Sequence, residues 1–110
     1  MNINTKKIGD FKVLEIQDER IDAHNSAELK AYILEMIDRG ETHIIVQLEH
    51  VRFIDSSGLG ALLSGHKNTE TKSGRFALTN IQHQVLSMFE ITRLNRVFEI
   101  YATVNEVSGD

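Results

Sequence analysis

Short runs of β-branched and aromatic residues alternate along this chain with segments whose apolar residues recur at helical spacing. That alternation, more than any single residue, restricts the fold. Phe11, Val13, Leu14 and Ile16 read as a strand, and Ile44, Ile45, Val46 and Leu48 as a second, more β-branched one; both are expected in buried sheet. Between them Asn25 or Ser26 can cap a helix whose Leu29, Ile33, Met36 and Ile37 fall at i, i+4, i+7 and i+8, ending at Arg39-Gly40. After Asp55, the residues Leu59, Leu62, Leu63 and His66 repeat the pattern, so a second helix starts near Ser56 and closes at Lys72-Ser73-Gly74. Phe76 to Leu78 then reads as a third strand, and Val85, Met88 and Phe89 as the inner face of a third helix. Val97, Phe98, Ile100 and Tyr101 read as a fourth strand, and the tail from Asn105 is expected to fray. Strands alternating with helices of about ten residues or more predict an α/β architecture, with helices covering a parallel or mixed sheet.

Composition narrows the function. At 110 residues and 41% hydrophobic, with no proline, no internal repeat and seven dispersed glycines, the chain is expected to form one compact domain over residues 1–110 without a linker. No cysteine is present, which excludes disulfide scaffolds, thiolate zinc sites and cysteine nucleophiles; packing must hold the core, and the reducing cytoplasm is the expected compartment. Twelve Lys and Arg against sixteen Asp and Glu give a formal charge of -4, the wrong sign for neutralising phosphates along a nucleic acid. The segment Met1 to Ile8 carries Lys6 and Lys7 but no apolar stretch, so neither a secretory signal nor a membrane span is expected.

Chemistry concentrates in Phe53-Ile54-Asp55-Ser56-Ser57-Gly58-Leu59-Gly60, where small and hydroxyl residues stand between a core segment and a helix start. Helix starts expose unpaired N–H groups and a partial positive charge. One reading makes Ser56 or Ser57 the N-cap, with Gly58 and Gly60 allowing close helix approach. The other makes a serine here a phosphorylation site, the phosphate adding about -1.5 to -2 charge beside Asp55. Motifs for other chemistry fail on spacing. After Gly60 and Gly65 come His66, Lys67 and Asn68, not the Lys-Ser/Thr of a phosphate-binding loop. Gly58 and Gly60 lack the third glycine of a dinucleotide fingerprint, and neither serine has glycines two residues either side. His24, His43, His50, His66 and His83 show no metal-binding spacing; His66 instead falls on the inner stripe of the second helix, where a partly buried histidine is expected. No cofactor and no enzymatic activity are expected.

Phe53 to Leu63 closely resembles the STAS domain family, specifically its stand-alone bacterial anti-sigma factor antagonists. The likeness extends over nearly the whole chain, through Ile21-Asp22-Ala23, Ile44 to Leu48 and Val97 to Tyr101. It implies a mixed β-sheet flanked by helices and a protein that acts by partner switching. By that resemblance the unphosphorylated domain binds a serine-kinase anti-sigma factor of the GHKL ATPase type, phosphorylation at Ser56 ends the complex, and a PP2C-type phosphatase reverses it. Ser57 is then the secondary acceptor. Asp22, Asp55, Ser56, Ser57, Gly58, Leu59 and Gly60 form the expected partner-binding set, although Asp22 equally suits the plain task of satisfying loop N–H groups. The free protein is expected to be monomeric. The same switch could serve a non-sigma output such as biofilm formation, secretion or a response regulator, or the chain could be a scaffold subunit of a multi-STAS assembly. Three departures from the family pattern stand out: Glu19, where many members have glycine; Ile91-Thr92-Arg93-Leu94, which lacks a glycine common in that turn; and the carboxy-terminal helix, often longer in relatives, which has only Val104 to Val107 before Ser108-Gly109-Asp110.

Overall fold

In the computed structural model, which describes residues 1–109, the predicted alternation becomes a mixed sheet flanked by helices. The elements run β1 (Ile3–Ile8), β2 (Phe11–Ile16), β3 (Arg20–Ile21), α1 (Ser26–Asp38), β4 (His43–Gln47), β5 (Phe53–Ile54), α2 (Ser56–Thr71), β6 (Arg75–Thr79), α3 (His83–Ile91), β7 (Glu99–Tyr101) and α4 (Val104–Ser108). A 3₁₀ turn, Leu94–Arg96, precedes β7. The main sheet has the order β1-β2-β4-β6-β7; β1 pairs antiparallel with β2 and the remaining neighbours are parallel. β3 and β5 form a separate two-stranded parallel ribbon that aligns Ile21 with Ile54.

Side chains alternate across the sheet with the period of two that strands impose. Leu14, Ile16, Ile44, Val46, Phe76 and Leu78 join the large core, together with Leu29 and Ile33 of α1, Leu59 and Leu62 of α2, and Val85 and Phe89 of α3. Phe11, Val13, Ile45 and Ala77 face the other way and pack against Val107 of α4. The close seat of α2 depends on Gly65, where a β-carbon would lie 2.6 Å from Phe76 and 3.0 Å from Ile33.

The structure adds a strand that the sequence pattern did not show and corrects two expectations. The polar segment Ile3 to Ile8 forms an edge strand: only its two end isoleucines are partly buried, so it shows little of the apolar pattern that marks a strand. Val97 and Phe98 lie outside the last strand, and Val97 is 43% exposed after the 3₁₀ turn. The tail does not fray, because Val107, 8% exposed, closes the back of the sheet through α4. The end of α2 also differs from the glycine-closing reading. α1 does end as expected at Gly40 (φ 93), whose N–H donates to the Ile37 carbonyl while that of Glu41 donates to Met36. At the end of α2, however, the left-handed residue is Ser73 (φ 55); Gly74 is needed because a β-carbon there would meet the Thr42 carbonyl oxygen at 2.0 Å. Arg93, in the turn without the family's glycine, is itself left-handed at φ 61.

Candidate functional site

The ribbon of β3 and β5 brings two separated stretches of sequence to one end of the molecule. The Asp55 N–H donates to the Ile21 carbonyl at 3.2 Å, so Asp22 and Asp55 emerge side by side, and α2 begins at the next residue.

Asp55, not either serine, is the N-cap of α2. Its Oδ1 accepts from the Ser57 N–H at 3.0 Å, the Gly58 N–H at 3.1 Å and the Ser57 hydroxyl at 2.6 Å. These donors hold its carboxyl below the ordinary aspartate range, with the Ser57 hydroxyl contributing most and the Gly58 amide next. The backbone path out of β5 sets the carboxylate over these amides, and its charge strengthens each bond and complements the positive helix end.

Ser56 is treated differently. It is the first residue of α2, it is exposed, and its hydroxyl has no hydrogen-bond partner among the described residues. Ser57 is half-buried and engaged by Asp55. Gly58 is buried, and a β-carbon there would lie 2.7 Å from Ile54 Cγ1 and 2.8 Å from the Ile21 carbonyl oxygen, so the helix start can sit this low only with glycine. Leu59 is buried in the core directly beneath. Gly60 is exposed and has open space where a β-carbon would go, which corrects the expectation of a close approach there.

Asp22 organises the neighbouring loop. Its Oδ1 accepts from the His24 N–H at 3.0 Å, and its Oδ2 accepts from Arg20 Nε at 3.3 Å; the His24 amide is the largest cause of its lowered pKa. Asn25 precedes α1 but does not cap it with its side chain. Its Oδ1 accepts from the Asp22 N–H and its Nδ2 donates to the Arg20 carbonyl, bracing β3 instead. The plain loop role read for Asp22 is therefore present, at the same end of the fold as Ser56.

One residue of this end was missed. Phe53 is 41% exposed, with the Arg20 guanidinium 4.1 Å from its ring centroid. Alternation carried the signal: with Ile54 pointing inward, Phe53 had to point outward. His66 lies away from this end and matches its reading: its side chain is 20% exposed, edge-on to Phe98, with Nε2 3.3 Å from Glu70. Among the described residues no cluster of three or more His, Asp or Glu side chains could hold a metal ion, and no helix is long and apolar enough to cross a membrane.

Comparison with known proteins follows the same outline. The family model described as "STAS domain" matches residues 2–107. The chain is similar to the anti-sigma F factor antagonist of Paenibacillus polymyxa, 32% identical over 90 residues that cover 81% of this chain and 75% of that protein. Among solved structures it is similar to the Thermotoga maritima protein TM1081, with a TM-score of 0.89 at 25% identity, covering 97% of this chain and 92% of the other. It is also similar to the Bacillus cell fate determinant SpoIIAA in its phosphorylated form, with a TM-score of 0.73 at 26% identity and 96% of each chain covered.

Proposed function

The chain belongs to the STAS domain family, and from that premise we propose that it is an anti-sigma factor antagonist that works by partner switching. Its unphosphorylated form binds a serine-kinase anti-sigma factor of the GHKL ATPase type in the cytoplasm. Phosphorylation of Ser56 ends that complex and a PP2C-type phosphatase restores it. The chain contributes a surface rather than a reaction. Two relatives support the reading by what they are: an anti-sigma F factor antagonist and a cell fate determinant with a phosphorylated form.

The observation that carries the proposal is the contrast between adjacent serines. Ser57 donates its hydroxyl to Asp55, whereas the exposed hydroxyl of Ser56 is unpartnered among the described residues. Asp55 already accepts the Ser57 and Gly58 amides, so these donors are not available to a phosphate on Ser56. The new charge therefore stands beside a carboxylate, facing outward. An interface that seats a neutral hydroxyl would have to bury that charge unpaired, at a cost of several kcal/mol, and each 1.4 kcal/mol is about tenfold in affinity. Asp22, Asp55 and Gly60 complete the docking surface; Gly58 and Leu59 set its height from beneath.

The test is intact-mass and peptide-mapping mass spectrometry on the protein isolated from its native host, with and without treatment by a PP2C-type phosphatase. A phosphate on Ser56 that the enzyme removes is the expected result. Unmodified serines in every growth condition would sink the switch.

A further inference from the structure

β2 sends Leu14 and Ile16 into the large core, and the period of two puts Lys12 on that same side of the sheet, beside α1. Its neighbour in register on β4 is the fully buried Ile44. An ammonium drawn partly out of water is stabilised when an anion meets it. Lys12 is half-buried, yet it makes no ion pair and no side-chain hydrogen bond among the described residues.

The charges around it leave Lys12 uncompensated. Across the antiparallel pair it stands directly opposite Lys7, and like charges so placed repel. Lys7 is relieved by Glu41 at 3.8 Å. Glu35, the carboxylate of α1 that borders Lys12, is held by Arg39 at 2.5 Å. Lysines guard edge strands against pairing with other chains, which accounts for Lys7 on β1 but not for Lys12 one strand further in.

Lys12 borders a cleft of about 230 Å³ between β2 and α1, completed by Tyr32, Glu35, Met36 and Arg39. Met36 is a buried apolar wall. The Tyr32 hydroxyl lies 2.5 Å from Thr5 Oγ1; with Thr5 donating, the phenol proton is free for an oxygen in the cleft. The volume is below the range of about 300–1,000 Å³ that suits drug-sized ligands, so the cleft fits a smaller molecule. One uncompensated ammonium selects one negative charge, because a second would face Glu35 and Glu41. The cleft is at the far end of α1 from the Asp22 loop, a helix of 13 residues or about 20 Å, and is thus remote from Ser56.

We propose that this cleft binds a small monocarboxylate, its carboxylate accepting from Lys12 Nζ and the Tyr32 hydroxyl and its short aliphatic part lying on Met36.

The experiment titrates sodium acetate and sodium butyrate into the ¹⁵N-labelled full chain at constant ionic strength, with sodium chloride and inorganic phosphate as competing anions. Butyrate should give saturable shifts of the Lys12, Tyr32, Met36 and Arg39 amides and bind more tightly than acetate. Lys12→Met and Lys12→Gln should each weaken butyrate at least about tenfold, as the loss of a charge-assisted hydrogen bond does, and Tyr32→Phe about threefold. Both Lys12 variants should keep or raise the urea midpoint, since they remove the repulsion from Lys7. Ser56→Asp should leave butyrate affinity within about twofold, which separates this site from the switch. Shifts that chloride reproduces, phosphate bound in preference to butyrate, or no preference for butyrate over acetate would overturn the proposal. So would shifts that never saturate or map elsewhere, or a Lys12→Gln variant that binds butyrate as the parent does.

Discussion

The Ser57 hydroxyl donates to the Asp55 carboxylate at 2.6 Å, and this bond is the largest cause of that carboxyl's lowered pKa. A carboxyl titration followed by ¹³C NMR should put the Asp55 midpoint below the ordinary aspartate value. Ser57→Ala should move it upward while the amide bonds from Ser57 and Gly58 keep part of the shift. An unchanged midpoint in Ser57→Ala would refute this account of the cap.

Gly58 and Gly60 stand two residues apart in α2 yet should respond oppositely to the same change. A β-carbon at Gly58 would strike Ile54 and the Ile21 carbonyl, so Gly58→Ala should destabilise the fold by about 1–3 kcal/mol through overpacking. At Gly60 the space is open, so Gly60→Ala should stabilise by about 0.5–1 kcal/mol through helix propensity. Urea unfolding of both variants measures the difference.

Exchanging charge at Ser56 should alter binding without altering the fold. Ser56→Asp is expected to weaken the kinase complex at least about tenfold, since one unpaired buried charge exceeds 1.4 kcal/mol. Ser56→Ala keeps the surface neutral and should bind as the parent does. Calorimetric titration of both against the kinase decides the matter; equal affinities would remove charge as the cause.

Val107 is the buried residue of α4 and closes the back of the sheet over Phe11, Val13, Ile45 and Ala77. Val107→Ser gives up most of that burial and should cost about 1.5 kcal/mol or more. Thermal unfolding should register the loss, whereas a change at exposed Asn105 should leave the transition in place.

Acid should weaken the pairing of β6 with β7. Arg75 donates to the Glu99 carboxylate, and this contact, joined by the Tyr101 hydroxyl, holds the Glu99 pKa below the ordinary glutamate value. A lowered folded pKa means the stabilisation is fully present above the unfolded glutamate value and is lost as the pH falls through the folded one. Solvent screens this partly exposed pair, so the effect is modest. Glu99→Gln should flatten the stability profile in that acidic range and leave its neutral slope unchanged.

Periodicity disclosed the parts of this fold that bury a face. Leu29, Ile33, Met36 and Ile37 were legible as the inner stripe of α1, as were Val85 and Phe89 of α3, because each spacing satisfies one geometry. β1 was hidden because an edge strand with exposed side chains is held by its neighbour's backbone, which leaves little apolar pattern to read. α4 left no periodicity to read because its five residues bury only Val107; the short helix from Val104 to Val107 came from the family resemblance alone. At the candidate site, the position of the helix start could be read but not which residue capped it. Asp55, Ser56 and Ser57 are all competent caps by type, and only the backbone path out of β5 puts the carboxylate over the free amides.

The anchoring of Ser56 has a consequence for the proposed switch, which needs an enzyme to modify that hydroxyl. Its hydroxyl is offered from the first turn of a helix clamped by Asp55 above and seated on Gly58 below, so an approaching catalyst meets a rigid shape instead of a pliable string of residues. A peptide copying residues 50–62 carries the same letters without that shape, and should be a poor substitute. Under the proposed switch foldedness would be part of the message: an unfolded copy would fall silent, and would not be mistaken for a signal.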